Sequence, residues 1–292
     1  MYCLTVPFGG VIVPEKTVNF DKKTQSGNSI RCEPCTFNIA DCRDSEDETS
    51  LYIEPDSMTI ARCNKALFVI NEGYMVVTRP VQHSRVYCAV THLNRELREH
   101  LRLNGKRVAG IDIRNSQPLI ACIIIRRYWI DKLGYLPDDV LRYQAACESG
   151  QFYDGFMQAF KLPAALRSEF KADFFSKVFF SMVTEKENIL KAMFIERYPS
   201  VWQMVCDEKG GLYSRNYGEF ASKLQKAEAT IIFDNVNMEL LRRGIKAFNI
   251  FDSIYVNSRE DYDLALQLIK ETFYELGLNP SFNTEGIENL DS

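Results

Sequence analysis

The chain has 292 residues, 46% of them hydrophobic and 25% charged, with a formal net charge of −4. This length admits one large domain or two modest ones around a sizeable core, and the acidic balance gives no global basic signal for nucleic acid. The longest apolar run, Pro118 to Ile125, is too short to span a bilayer, and the start of the chain lacks the basic, then apolar, pattern of a leader; a cytoplasmic protein with no membrane partner is expected.

Residues 1 to about 60 are rich in Thr, Asp, Glu, Cys and Pro, include the acidic run Asp41 to Ser50, and show weak periodicity, which predicts short strands and loops. The nine cysteines are odd in number and scattered, as reduced thiols are. Cys32 and Cys35, with Cys42 and Cys63 downstream, lack the tight four-ligand spacing of a zinc site. Ala66 to Val81 reads as a hairpin around Asn71 and Gly73. Leu93 to Gly105 reads as a helix with Leu93, Leu97 and Leu101 on one face and Gly105 as its stop. Its Arg95, Arg98 and Arg102, continued by Lys106 and Arg107, make a local basic cluster or a solvated face.

Arg107 to Asn115 is predicted as a buried strand. Ser116 resembles an N-cap for the helix that follows, which has Pro118 in its first turn. From about 130 to 215 the chain is helical and aromatic-rich, with Ala164 to Val183 its strongest helix. Gly218 to Gly244 is a second long helix with Leu224, Ala227, Ile231, Val236, Leu240 and Leu241 as its apolar stripe. Ala247 to Ser258 reads as a strand pair. Ser258 to Pro280 is a last amphipathic helix, capped by Ser258 and stopped at Gly277. No internal repeat is present. Helices lie between non-local strands, so the predicted class is α+β rather than a regular βαβ series.

Two acids stand out. Asp112 and Asp252 each interrupt an apolar strand, and an unpaired buried carboxylate costs several kcal/mol. Each alone could cap a turn. Brought together they repel, and a divalent cation relieves both the repulsion and the desolvation. Two such carboxylates can hold two Mg²⁺ ions, which activate a 3′-hydroxyl and stabilise departing pyrophosphate. Arg167, Lys171, Phe175 and Phe179 recur every four residues on the predicted helix, so they share one face. Two cations and two rings on one stripe suit a triphosphate and a base; they also suit an amphipathic helix with a solvated cationic end.

The ordered set resembles the family A nucleotide polymerases, the group of bacterial DNA polymerase I and the single-subunit phage RNA polymerases. "DIRNSQPL", with Asp112, Ser116 and Gln117, is similar to motif A of that family. Arg167, Lys171, Phe175 and Phe179 are similar to motif B, and "FDSIYV", with Asp252, to motif C. "KLQKAEA" resembles the palm helix that bears a Gln, here Gln225, and "HSRVYCAVTHLNRELREHL" resembles the segment before motif A, with Arg85 in the Arg position. The likeness covers roughly residues 83 to 280. It departs at Ser116, four residues after the acid rather than two; at Gln117, where the DNA enzymes usually carry Glu; at Phe179 and Phe180 for Tyr-Gly; and at Phe251 and Ser253 for His and Glu.

The resemblance implies an α+β palm with helical fingers, a reduced thumb and no exonuclease domain. The expected segments are an N-terminal extension (1–82), a first palm segment (83–129), fingers (130–215) and a second palm segment (216–292). Asp112 and Asp252 would be catalytic and, with Ile113, metal-binding, for two Mg²⁺ or Mn²⁺. Arg167, Lys171, Phe175, Phe179, Gln117 and Ser116 would bind a nucleoside triphosphate, and Arg85, Gln225 and Arg98 a nucleic-acid primer and template. The expected activity is nucleotidyl transfer, with a DNA-directed DNA polymerase favoured over an RNA polymerase, aided by a protein primer or accessory subunit. Two alternatives remain: a catalytically inactive palm-like accessory that binds nucleic acid or protein, and a two-metal nuclease.

Overall fold

Ala109–Ile113 (β1) carries the alternation that builds the molecule. Ala109, Ile111 and Ile113 are buried against helices, while Gly110 and Asp112, one residue out of phase, belong to the opposite face. In the computed structural model, which describes residues 77–81, 84–93, 101–103, 106–181, 188–211 and 218–290 with a few isolated positions besides, β1 is central in a four-stranded antiparallel sheet. Phe248–Ile250 (β2) and Ser253–Val256 (β3) form a hairpin, and β3 and Phe282–Glu285 (β4) flank β1, in the order β2-β3-β1-β4. The register pairs Gly110 with Tyr255 and Asp112 with Ser253 across one edge of β1, and Asp112 with Asn283 across the other.

One face of the sheet packs on helices. Ser116–Leu133 (α1) leaves β1 directly. The stretch from Asp138–Glu148 (α2) through Phe152–Ala159 (α3), Arg167–Phe174 (α4) and Ile189–Arg197 (α5) to Pro199–Glu208 (α6) is helical. Gly218–Ala229 (α7) leads through a π-helical segment, Thr230–Asn237, into Met238–Arg242 (α8). Arg259–Glu275 (α9) follows β3, and the Ser258 hydroxyl caps it by accepting from Asp261 N–H at 3.1 Å. The other face of the sheet carries a smaller core, where Phe248, Ile250 and Tyr255 meet Val90, Leu93, Leu101 and Leu103. The architecture is thus α+β with small antiparallel sheets.

The helical region is held by rings. Phe174, fully buried, lies edge-on or tilted to Phe152, Tyr153, Phe156, Phe179 and Phe194, with centroids 5.2 to 5.7 Å apart; such pairs add to simple area burial. Tyr143, Phe152, Phe156 and Phe194 extend the cluster to Tyr198.

Several local expectations are corrected. The helix expected over 93–105 does not extend through its last described residues, although Arg98 is helical. Arg102–Leu103 pairs antiparallel with Lys106–Arg107, and Leu101 and Leu103 are buried on either side of half-buried Arg102, a period of two. The helix expected over 164–183 runs from Ala164 to Phe179 but is not one regular α-helix: a 3₁₀ turn, Ala164–Leu166, precedes α4 and a π-helical turn, Phe175–Phe179, follows it. The long helix over 218–244 exists, but with the π segment in its middle. Besides Ala229, Ile231 and Asn237, its buried positions include Phe220, Leu224, Glu228, Ile232, Val236 and Leu240, a row spaced every four residues that drifts about 40° per step on a regular α-helix; the wider π turn returns the row to the core. Finally, Asn115 rather than Ser116 occupies the N-cap of α1, in the left-handed region. Of the hairpin expected over 66–81, Ala66 and Ile70 are helical, and Val77–Thr78 pairs antiparallel with Cys3–Leu4 rather than with a strand of that hairpin; the cysteines Cys32, Cys35, Cys42 and Cys63 lie outside the described residues.

Gly110 is required where it stands. A Cβ there would lie 2.7 Å from Tyr255 Cε1, whose ring stacks on Phe248 at 5.1 Å. Phe174→Ala is expected to lose about 3–5 kcal/mol of unfolding free energy by urea titration, whereas truncating exposed Ile189 to Ala should stay within about 0.5 kcal/mol.

Candidate functional site

Asp112 and Asp252 come together because β1 and β3 are neighbours. Ser253 is the cross-strand partner of Asp112, and Asp252 is the turn residue just before it. The turn is strained: Phe251 has a φ of 54°, a region that costs a non-glycine residue roughly 1–2 kcal/mol. A second strained residue, Asn115 at φ 52°, makes the bend from β1 into α1. Both precede a side chain of the site: Phe251 precedes Asp252, and Asn115 precedes Ser116.

Ser253 Oγ donates to Asp112 Oδ1 at 2.8 Å, and Asn283 Nδ2 donates to Asp112 Oδ2 at 3.0 Å. Ser116 Oγ donates to Asp252 Oδ2. Burial pushes the Asp252 carboxyl up, and the charge of Asp112 pushes it further; the Ser116 hydroxyl and the Lys171 ammonium pull it back. The arrangement is two carboxylates sharing one site with the Lys171 charge acting on Asp252, and the chemistry that relieves such a pair is a proton or a cation. Each carboxylate oxygen has lone pairs beyond the single hydrogen bond it accepts, so both acids fit a hard divalent ion. Ile113 has its side chain in the core and could offer an ion only its backbone carbonyl. Among the described residues no group of three or more His, Cys, Asp and Glu side chains converges as a metal site.

Arg167 and Lys171 are both half-buried on α4, and the Lys171 charge acts on Asp252. Arg167 Nε donates to Asp154 at 3.0 Å and its Nη2 to Asn115 Oδ1 at 3.2 Å, with the guanidinium 5.6 Å from the Tyr153 ring centre. Phe175 is half-buried and stacks on Phe180. Phe179 does not share its exposure. The π turn rotates it into the core, fully buried against Phe174, Phe194 and Phe220, so it has no free face for a base.

Two of the three nucleic-acid candidates, Arg85 and Arg98, are engaged within the protein. Arg85 makes a fork to Glu228, Nε to Oε1 at 2.7 Å and Nη2 to Oε2 at 3.0 Å, and lies over the Phe251 ring at 4.9 Å. Arg98 donates to the carbonyl of Leu93 at 3.0 Å. Gln225 is half-buried on α7, three residues before Glu228. Gln117 donates its amide to Glu228 Oε2.

Glu228, Asn283 and Tyr153 are site residues that the sequence reading did not single out. Glu228 is 1% exposed. Burial raises its carboxyl most, the Asp252 charge raises it further, and Arg85 and Gln117 oppose both, which leaves it at about 7. Its signal was available: it is the one acid in the four-residue apolar series of α7. Asn283 had no local signal, because only sheet topology sets it beside Asp112. Three buried polar atoms around the site have no hydrogen-bond partner among the described residues: Asn115 Nδ2, Gln117 Oε1 and Tyr153 Oη. An orphaned buried group costs about 1–3 kcal/mol, and such groups gather where a ligand completes them.

Glu228 makes stability depend on pH. Its folded value is raised above the ordinary 4.5, so the folded state holds a proton that the unfolded state has lost. Stability from this group is full below about pH 4.5 and is lost as pH rises through 7. At about 1.4 kcal/mol per unit the loss is about 3 kcal/mol. Thermal or urea unfolding followed from acid to neutral pH should therefore show a fall in wild type that is absent in Glu228→Gln.

Among the described residues no helix is long and apolar enough to cross a membrane. Comparison with protein-family models finds no match to this chain, and comparison with curated proteins finds none either.

Proposed function

We propose that this protein is a metal-dependent nucleotidyltransferase whose sheet and helical region correspond to a family A-like palm and fingers. The observation that carries the reading is the carboxylate pair: Asp112 on β1 and Asp252 at the β2–β3 turn meet across adjacent strands, with the Lys171 charge acting on Asp252. Two Mg²⁺ or Mn²⁺ ions, when bound by this pair, would supply activation of a 3′-hydroxyl and charge neutralisation on a leaving pyrophosphate.

The chain's own residues have distinct tasks. Ser253 and Asn283 orient Asp112, and Ser116 orients Asp252. Lys171 meets the triphosphate as a point charge, and Arg167 can exchange Asp154 and Asn115 for phosphate oxygens, since guanidinium forks suit both. Phe175 offers a half-buried ring to the base. Gln117 turns its amide nitrogen to Glu228 and so keeps its carbonyl oxygen as the spare acceptor, which suits a sugar hydroxyl. Primer and template strands, or a protein primer, complete the reaction, with DNA synthesis favoured over RNA.

Two observations favour the second reading, an inactive palm-like accessory. Arg85 is locked to Glu228 and Phe251 instead of standing free for a nucleic-acid strand, and the carboxylates already have hydrogen-bond donors.

Extension of a labelled primer–template with dNTPs and with NTPs, in Mg²⁺ and in EDTA, tests the proposal. Metal-dependent product is expected from wild type, and Asp252→Asn or Asp112→Asn should lower the rate by about 10²–10³-fold or more. Lys171→Ala should raise KM for the nucleotide by about 10- to 100-fold. No product with any nucleic-acid or protein primer, or without one, would point to the accessory reading.

A further inference from the structure

Glu228 is the most deeply buried acid near the carboxylate pair, and the expected reaction gives it no task. Three separate elements converge on it. Arg85, from the segment 84–93, forks onto both of its oxygens. Gln117, from the first turn of α1, donates to one of them. Asp252, at the β2–β3 turn, acts on it through charge. The two hydrogen-bonded partners are each one step from the residues that hold Asp252. Arg85 lies over Phe251, whose left-handed backbone sets the turn immediately before Asp252. Gln117 follows Ser116, whose hydroxyl donates to Asp252.

Resting on the nucleotidyltransferase reading, we propose that Glu228 is a positioning residue: its carboxylate ties Arg85 and Gln117 together and so fixes Asp252 from both sides of the turn. A carboxylate is needed there because only it can accept a guanidinium fork and an amide hydrogen at once. When Glu228 takes a proton, one oxygen ceases to accept, the charge opposite Arg85 is lost, and both arms slacken together. The placement of Asp252 is therefore linked to one proton. The charged groups that face this linkage are Arg85 on the segment before β1, Asp252 on the turn, Asp112 on β1 and Lys171 on α4; Gln117 is the neutral member.

The test is a ¹³C titration of the full-length chain, with carboxyl carbons of Asp and Glu and the Phe rings labelled, from about pH 5.5 to about 8.5. Signals are assigned by Glu228→Gln, Asp252→Asn and Phe251→Leu. In wild type, the Glu228 carboxyl and the Phe251 ring should share one step with a midpoint near 7. In Glu228→Gln the step should vanish from the Phe251 ring. A Phe251 ring whose curve superimposes on wild type in Glu228→Gln would overturn the proposal. If Glu228→Gln does not fold, Arg85→Lys keeps the charge and loses the fork; the Phe251 step should then shrink at least twofold, and an unchanged step would overturn the proposal equally. Mn²⁺ added to the same sample probes the underlying reading separately: broadening of the Asp112 and Asp252 signals supports it, and intact signals alongside a retained shared step count against the metal reading alone.

Discussion

The repulsion between a carboxylate on β1 and one at the neighbouring β2–β3 turn governs this structure. Antiparallel pairing of β1 with β3 fixes Asp112 opposite Ser253, and so fixes Asp252 beside Asp112 whether or not a ligand is there. Almost every unusual feature nearby answers that constraint. Ser116, Ser253 and Asn283 donate to the pair. Lys171 balances its charge. Phe251 and Asn115 accept left-handed backbone angles to deliver the side chains on either side. A fold selected for stability alone would replace such a pair with apolar residues, and strain of this kind gathers where a site is pre-organised.

The helix from Gly218 to Arg242 is the second organiser. Its apolar stripe is spaced too widely for a regular α-helix, and the π segment absorbs the excess. That segment begins two residues after Glu228, so the same helix packs the core through Leu224 and Ile232 and presents an acid to the site between them. Arg79 and Arg85 bind Asp234 and Glu228 on this helix. The segment that covers the second face of the sheet is thereby tied to the helix behind the carboxylates. Packing, ion pairs and the site share one element, and a disturbance of any one reaches the others.

Much of this was legible in the sequence. Asp112 and Asp252 announced themselves as acids in apolar strands, and the α+β class followed from the order of elements. The cap at Ser258 and the stop at Gly277 were local chemistry and held. The failures have physical causes. Residues 101–107 carry alternating leucines that a helical reading overlooked. Phe179 was placed by an ideal period of four, and the π turn moved it into the core. Phe282–Glu285 is a polar edge strand without β-branched alternation except at Thr284, so only its partner β1 defines it. Glu228 was hidden by its neighbours, since a single acid in a strong apolar stripe reads as an interruption rather than as the centre of a network.

The claim on which the account turns is that Asp112 and Asp252 jointly hold a divalent cation. Anomalous diffraction from crystals grown with Mn²⁺ measures this directly. The account predicts an anomalous peak between the two carboxylates, within about 2.0–2.3 Å of at least one oxygen from each, and its loss in Asp252→Asn. Carboxylates that keep their hydrogen bonds to Ser116, Ser253 and Asn283 with no peak between them, at Mn²⁺ concentrations that populate other sites, would contradict it.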